Sequence, residues 1–373
     1  MNDKTQSAPI RVLVVDDSAL VRRLLEEILN ADPEITVVGT ARDPYDAREK
    51  TKRLSPDVLT LDVEMPRMDG LTFLSNLMRL RPTPVLMISS LTERGADVTL
   101  TALELGAIDF VAKPRLDVSQ GLTDLAEEIV TKVKVAARSN FSRARVRQLP
   151  GDSAAAERVK QLATQGRSDF LRTTDRVVAI GASTGGTEAI RAILSNLPAD
   201  APGIVVTQHI PEAFSKPFAN RLNEVTALRV QEAAPGAAVR PGHVYIAPGH
   251  LHLKVRKDGA RYVCETDAGA PVNRHRPSVD VMFDSVSKHV GPNALGILLT
   301  GMGADGAEGL LQLRKTGAMT VAQDQATSVV WGMPGAAIKL GAACRVKPLE
   351  AISAEIVAWA SREKTDVATN EVA

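Results

Sequence analysis

The run Gly181-Ala182-Ser183-Thr184-Gly185 satisfies Gly-x-Ser-x-Gly, the spacing of a nucleophile elbow. Small neighbours let a strand turn sharply into a helix there and leave the Ser183 hydroxyl exposed. A second reading of the same stretch is a phosphate cradle at a helix N-terminus. Against it, the segment lacks the Walker lysine and does not fit Gly-x-Gly-x-x-Gly. A serine nucleophile needs a base, and the base needs an orienting acid. Of the six histidines, His209 directly follows the apolar run Gly203–Gln208, at the same edge as Ser183 if the strands are parallel. His243, His250, His252 and His289 read as ordinary loop or surface histidines, and His275, in Asn-Arg-His-Arg-Pro (273–277), as a substrate contact. Asp305 follows the apolar run Leu295–Thr300 through Gly-Met-Gly-Ala-Asp-Gly (301–306), whose glycines allow tight backbone and exposed amides for an oxyanion hole. Asp280 and Asp284 read as surface or capping groups. The order Ser183, His209, Asp305 is not that of α/β-hydrolases or of the two common serine protease folds.

A second constellation lies upstream. Asp16 and Asp17 follow one apolar run, and Asp62, Ser89 and Lys113 each end another. If these runs are parallel strands, all five residues meet at the carboxyl edge of one sheet, where open α/β folds place ligands. Three converging carboxylates repel one another, and a hard divalent cation such as Mg²⁺ relieves the repulsion. A phosphoryl group on Asp62 would add oxygens for the cation, pair with Lys113 and accept a hydrogen bond from Ser89.

The elements that must position these groups alternate along the chain. Strand signals at Arg11–Val15, Thr36–Gly39, Val58–Asp62, Pro84–Ser89 and Ala107–Ala112 are separated by helical spacing at Ala19–Leu29, Asp46–Leu54, Leu71–Leu80 and Asp97–Leu105 and closed by Leu122–Ala137. Such alternation implies βαβ units and a parallel sheet covered on both faces. A second alternating region begins at Arg176 and adds strands at Gly203–Gln208, Ala294–Thr300 and Ala318–Val321. Its helices are expected at Thr187–Leu197, Phe214–Glu224, Ser278–His289, Ala304–Lys315 and Ala351–Arg362. Pro235–Pro271, rich in Gly, Pro and short apolar alternations, reads as hairpins inserted into the parallel sheet. Between the regions, Lys134–Arg172 carries nine Lys or Arg against three acids, +6 by itself, and contains Leu-Pro-Gly-Asp-Ser. That composition reads as a basic linker.

Four motifs, Val-Asp-Asp-Ser (15–18), Leu-Asp-Val-Glu-Met-Pro-Arg-Met-Asp-Gly (61–70), Ile-Ser-Ser (88–90) and Phe-Val-Ala-Lys-Pro (110–114), resemble a two-component receiver domain. The resemblance implies a flavodoxin-like (CheY-like) five-stranded parallel sheet over 10–135. It also implies Asp62 as phosphoacceptor, Asp16, Asp17 and Asp62 as Mg²⁺ ligands, and Ser89, Phe110 and Lys113 as the phosphorylation switch. Gly-Ala-Ser-Thr-Gly-Gly (181–186), Thr-Gln-His-Ile-Pro (207–211), Val-Tyr-Ile-Ala-Pro-Gly-His (244–250), Arg-Pro-Ser-Val-Asp (276–280) and Leu-Thr-Gly-Met-Gly-Ala-Asp-Gly (299–306) resemble the methylesterase domain of the CheB family. That second resemblance implies a Rossmann-like, doubly wound, mostly parallel sheet with an inserted hairpin over 173–362. The linker, 136–172, and the polar, flexible tail, 363–373, lie outside it and are read from composition alone. It further implies hydrolysis of glutamate γ-methyl esters on chemoreceptors, and deamidation of certain glutamines, by Ser183, His209 and Asp305, with oxyanion amides at Met302 and Thr184 and no cofactor for the ester chemistry. A histidine kinase would supply the phosphoryl group, and the unphosphorylated receiver would cover the catalytic cleft. The alternative is a receiver joined to a non-catalytic receptor-binding output module.

Composition narrows the remaining classes. The chain has 373 residues, 44% hydrophobic and 24% charged, with 45 basic against 44 acidic side chains for a net +1. That is ordinary for a globular chain of two or three domains at roughly 100–200 residues each. No run approaches the ~18 apolar residues of a membrane span, and Met1–Ile10 has no apolar h-region. Near-neutral charge and 3% aromatic residues argue against a nucleic-acid binder. Two cysteines, Cys264 and Cys344, cannot build a disulfide framework, which fits a cytoplasmic location.

Overall fold

In the computed structural model, which describes residues 8–63, 65, 70–89, 92–113, 119–139 and 176–361, the short apolar runs become parallel strands and the amphipathic stretches become the helices that cover them. The chain divides into two units, Met1–Ser142 and Arg143–Ala373. Most of the basic stretch, 140–172, and the tail 363–373 lie outside the described residues.

In the first unit, β1 (Ile10–Val15), β2 (Ile35–Ala41), β3 (Val58–Asp62), β4 (Val85–Ser89) and β5 (Asp109–Ala112) form one sheet in the order β2-β1-β3-β4-β5. Every pairing is parallel. Helices α1 (Ala19–Asn30), α2 (Pro44–Leu54), α3 (Gly70–Leu80), α4 (Glu93–Glu104) and α5 (Ser119–Arg138) supply the crossovers. Ser18 caps α1 by accepting a hydrogen bond from Val21 N. The strand order reverses between β1 and β3, so Asp16 and Asp62 flank the topological switch point.

The second unit repeats this logic on a larger sheet. Its strands are β6 (Val177–Ala182), β7 (Gly203–Gln208), β8 (Arg229–Glu232), β9 (His243–Ile246), β12 (Ala294–Leu298), β13 (Met319–Gln323) and β14 (Arg345–Lys347), in the order β14-β13-β12-β6-β7-β9-β8. All the pairs are parallel, so the sheet is wholly rather than mostly parallel. Its described helices are α6 (Gly186–Leu194), α7 (Glu212–Val225), α8 (Val279–His289), α9 (Ala307–Lys315), α10 (Met333–Lys339) and α11 (Leu349–Ala360). The switch point lies between the central strands β6 and β12, and Ser183 and Thr300 follow those strands.

The expectation for Pro235–Pro271 needs correcting. β9, from within that stretch, is itself a parallel strand between β7 and β8. β10 (His252–Asp258) and β11 (Arg261–Asp267) form a separate antiparallel ribbon outside the main sheet. The ribbon is anchored on α8, where Val255 N donates to Ser285 Oγ at 2.9 Å. β8 and β14 have four and three residues, too few for periodicity to reveal them.

The turn from β6 into α6 depends on backbone shape. Gly185 has φ +75°, and a Cβ there would stand 2.8 Å from Val329 Cβ. Left-handed backbone costs an L-residue roughly 1–2 kcal/mol, and overpacking adds about 1–3 kcal/mol. Gly185→Ala is therefore expected to destabilise the second unit by about 2–5 kcal/mol, read as a lower urea midpoint with an unchanged m-value.

Candidate active site

The elbow is tied across the switch point. Ser183 N donates to Thr300 O at 3.0 Å, and Gly186 N donates to Ser183 O at 2.7 Å as α6 begins. Gln208 Nε2 also donates to Ser183 O, at 2.9 Å, and Thr300 Oγ1 donates to Thr184 O at 3.0 Å. Gly301 must lack a side chain, because a Cβ there would lie 2.8 Å from Ser183 Cβ and 2.2 Å from Met333 Sδ. The Ser183 hydroxyl is thus held on a fixed backbone while the residue stays half-buried and reachable.

His209 is the first residue after β7, and its amide donates to Ala182 O at 3.1 Å. Its Nδ1 lies 3.1 Å from Ser183 Oγ and its Nε2 lies 2.8 Å from Asp305 Oδ2. A neutral imidazole with its proton on Nε2 donates to the carboxylate and leaves the Nδ1 lone pair to accept the Ser183 proton. The three residues expected from the sequence therefore form one chain of hydrogen-bond reach, the geometry of an activated nucleophile.

Asp305 is buried, and its carboxylate is saturated with donors. Oδ2 accepts from His209 Nε2 and, at 2.7 Å, from Val279 N. Oδ1 accepts from Ser278 Oγ and Asn273 Nδ2, both at 2.8 Å, and from Asp280 N at 3.3 Å. Burial alone would raise its pKa, but the hydrogen bonds from His209, Asn273 and Val279 N hold the carboxyl well below the usual carboxylate range. It stays ionised and fixes which His209 nitrogen carries the proton.

Not every residue singled out from the sequence keeps its expected place. Asp280 is a capping group rather than a surface one, and the helix it caps is α9, not its own. It is buried, its Oδ1 accepts Gly309 N at 2.7 Å, and its Oδ2 accepts Asn273 Nδ2 at 2.7 Å. Burial and the Asp305 charge push its pKa up, against the Gly309 and Asn273 hydrogen bonds. Asp284 is half-buried on α8, where burial pushes its pKa up against the Lys288 charge. His252 is likewise no surface histidine: it is buried, its Nδ1 accepts Ser278 N at 3.1 Å, and its Nε2 donates to Ala270 O at 3.0 Å. His275 stacks on His209, with ring centroids 3.7 Å apart and planes 15° from parallel. His243 bonds to Pro241 O, His250 faces Glu212, and His289 is exposed at the end of α8. Met302 follows β12 beside the elbow, and among the described residues its N–H has no hydrogen-bond acceptor. Sequence reasoning misses Asn273, Ser278 and Gln208 as members of the site, although all three lie inside or beside the motifs that point to it.

In the first unit, ligand oxygens of Asp16, Asp17 and Asp62 lie within 4.8 Å of one another. Lys113 Nζ donates to Asp62 Oδ2 at 2.7 Å and stands 3.6 Å from Asp16 Oδ2. Asp16 Oδ1 accepts Ser18 N, but Oδ2 is buried without a hydrogen-bond partner. Burial pushes the Asp16 carboxyl up despite the Lys113 charge. Burial also pulls the Lys113 ammonium down, but Asp62, Asp16 and Asp17 outweigh it and its pKa stands above the ordinary value. An orphaned buried carboxylate oxygen among hard oxygen donors fits a divalent cation. Ser89 Oγ lies 2.6 Å from Thr99 Oγ1, and Phe110 is buried, with Lys132 Nζ 5.5 Å from its ring centroid.

A family model described as CheB methylesterase matches residues 178–356, and one described as response regulator receiver domain matches residues 12–123. A protein-glutamate methylesterase/protein-glutamine glutaminase of Xanthomonas campestris pv. campestris is 58% identical over 360 residues, covering 96% of this chain and all of its own. A similarly named protein of Hydrogenovibrio crunogenus is 54% identical over 370 residues, covering 94% of this chain and 98% of its own. The crystal structure of the Thermotoga maritima CheB methylesterase catalytic domain matches at 38% identity and a TM-score of 0.48, covering 49% of this chain and 97% of that one. No described helix is long and apolar enough to cross a membrane.

The acidic cluster of the first unit carries its own test. A hard divalent cation at about 100 times its Kd is expected to stabilise that unit by about 2.7 kcal/mol. Asp16→Asn should abolish most of the increment. Thermal unfolding followed with and without Mg²⁺ reads both.

Proposed function

From this chain's membership of the CheB methylesterase family, in which a receiver precedes the esterase, we propose that it hydrolyses glutamate γ-methyl esters on chemoreceptors and deamidates specific glutamines there. The observation that carries the reading is the continuous chain from Ser183 Oγ through the His209 ring to Asp305, at 3.1 and 2.8 Å.

Ser183 Oγ attacks the ester carbonyl carbon while its proton passes to His209 Nδ1. The other proton stays on His209 Nε2, hydrogen-bonded to the Asp305 carboxylate, whose charge balances the imidazolium. The oxyanion is met by the amides of Met302 and Thr184; one such donor is typically worth about 100–1,000-fold in rate. The carbon–oxygen bond to methoxide breaks as His209 returns the proton, and methanol leaves. Water, deprotonated by His209, then attacks the acyl-enzyme, and Ser183 recovers its proton. With glutamine the leaving group is ammonia, and the other steps are unchanged, so one set of residues serves both reactions.

The first unit supplies control. Asp62 accepts a phosphoryl group from a histidine kinase, and Asp16, Asp17 and Asp62 would hold Mg²⁺. When bound, that ion supplies positive charge against the phosphoryl oxygens. Lys113 pairs with the phosphoryl group, and Ser89 and Phe110 carry the change of state. Such a pathway operates in the cytoplasm, where chemoreceptors present their methylated helices. The non-catalytic alternative is not favoured: it leaves the Ser183–His209–Asp305 chain without a use, and the relatives are named as enzymes.

Methanol release from membranes bearing a methylated chemoreceptor tests the reading. Ser183→Ala is expected to lose at least about 1,000-fold in kcat while still accepting a phosphoryl group. Asp62→Asn is expected to keep basal turnover but lose all stimulation by a small-molecule phosphodonor. Wild-type turnover from Ser183→Ala would overturn the mechanism, and full stimulation of Asp62→Asn would overturn the control.

A further inference from the structure

Asn273 sits in a turn that the backbone adopts at a cost. Val272 N donates to His275 O at 3.0 Å and His275 N donates to Val272 O at 2.9 Å, closing a two-residue hairpin. The two residues between, Asn273 and Arg274, have φ +53° and +67°. Positive φ at both central positions is the type I′ signature. Asparagine tolerates it, but arginine has no such leaning. Backbone held in this region gathers where function demands a particular geometry. The turn delivers two side chains to the triad: the His275 ring onto His209, and the Asn273 amide between two buried carboxylates.

The second delivery has the clearer chemistry. Asn273 Nδ2 has two protons, and it lies 2.8 Å from Asp305 Oδ1 and 2.7 Å from Asp280 Oδ2. The other donors to the two acids are Val279 N and His209 Nε2 on Asp305 Oδ2, Asp280 N and Ser278 Oγ beside Asn273 on Asp305 Oδ1, and Gly309 N on Asp280 Oδ1. The titratable groups around the pair are His209, His275 stacked on it, and His252, which accepts Ser278 N. We infer that Asn273 is a positioning residue of the esterase, an amide brace that holds Asp280 and Asp305 together as two anions and so keeps Asp305 in place on His209 Nε2. Without the amide, two carboxylates confront each other in a buried setting, where like charges repel strongly. The acid least tied down would then move or take up a proton, and the imidazole would lose its fixed tautomer.

The inference rests on the esterase reading above, and its test separates the two. Glycine reaches positive φ freely, so Asn273→Gly keeps the turn and removes only the amide. Thermal melting of the full chain checks that the fold survives. In methanol release from receptor-bearing membranes, Asn273→Gly is expected to lower kcat about 10- to 100-fold with KM within about twofold of wild type. Labelling of Ser183 by a small fluorophosphonate should slow in step. Asn273→Asp, which puts a third carboxylate there, should be worse than Asn273→Gly. Adding Asp280→Asn to Asn273→Gly removes one of the opposed charges and should recover about tenfold of the loss. Wild-type kcat and labelling in Asn273→Gly would overturn the brace. So would a double variant no faster than Asn273→Gly, since a role in turn shape alone gives Asp280 nothing to rescue. If wild-type protein labels at Ser183 but releases no methanol, the esterase reading fails, and the labelling rates still decide the role of Asn273.

Discussion

The esterase site hangs on an exchange of helix caps between two carboxylates. Asp305 stands just before α9, yet it accepts the amides of Val279 and Asp280 at the start of α8. Asp280 belongs to the first turn of α8, yet it accepts Gly309 N in the first turn of α9. Each acid satisfies the orphan donors of the other's helix and sits in the positive end of that helix's dipole. Ser278, at the N-cap position of α8, turns its hydroxyl away from its own helix and gives it to Asp305. Burying a carboxylate costs several kcal/mol, and hydrogen bonds to a charged group contribute about 1.5–3 kcal/mol each. The donors gathered on Asp305 are enough to offset that cost, so the acid facing His209 also locks two helices against each other. Moving Asp305 means uncapping α8.

The two units use carboxylates at the same topological place to opposite ends. In both, acids or their partners project from the carboxyl edge of a parallel sheet beside the strand-order reversal. In the esterase unit the acid is surrounded by donors that nothing needs to displace, and they favour its ionised form. In the first unit the supply of donors falls short: Asp16 Oδ2 is buried with no hydrogen bond, and Lys113 serves Asp62 at close range and Asp16 at 3.6 Å. Incomplete satisfaction makes that cluster responsive to an added cation or phosphoryl group. The saturated site suits the proposed esterase and the unsaturated one the proposed phosphoryl switch.

Ser183, His209 and Asp305 are legible in the sequence because each directly follows, or is joined by glycines to, a strand long and apolar enough to recognise. Parallel strands then carry all three to one edge without further information. The first unit is legible for the same reason, each of its groups lying at or next to a strand end. Asp280 escapes such reading because an acid in a helix's first turn ordinarily faces solvent and its own helix dipole. Its actual partners, Gly309 N and Asn273, are 29 and 7 residues away and meet it only through tertiary packing. His252 escapes it because a histidine among Gly and Pro signals a loop, whereas it opens a ribbon strand that α8 covers. β9 is hidden because its apolar residues lie within a Gly/Pro-rich stretch that reads as hairpin.

The orientation of His209 follows from how short its tether is. The residue comes immediately after β7, and its own amide bonds to Ala182 O beside the nucleophile. With the backbone that close to Ser183, the ring nitrogen nearer the main chain, Nδ1, faces the serine, and the far nitrogen, Nε2, reaches outward to Asp305. Serine proteases of the chymotrypsin type present the opposite nitrogens. The chemistry is indifferent to the label, because it needs only a lone pair toward the hydroxyl and a held proton toward the acid. What it does need is an acid at the far end that cannot turn away. A histidine so near its nucleophile therefore calls for a carboxylate approaching from another part of the sheet. That accounts for Asp305 arriving from β12, across the switch point, rather than from a residue next to His209.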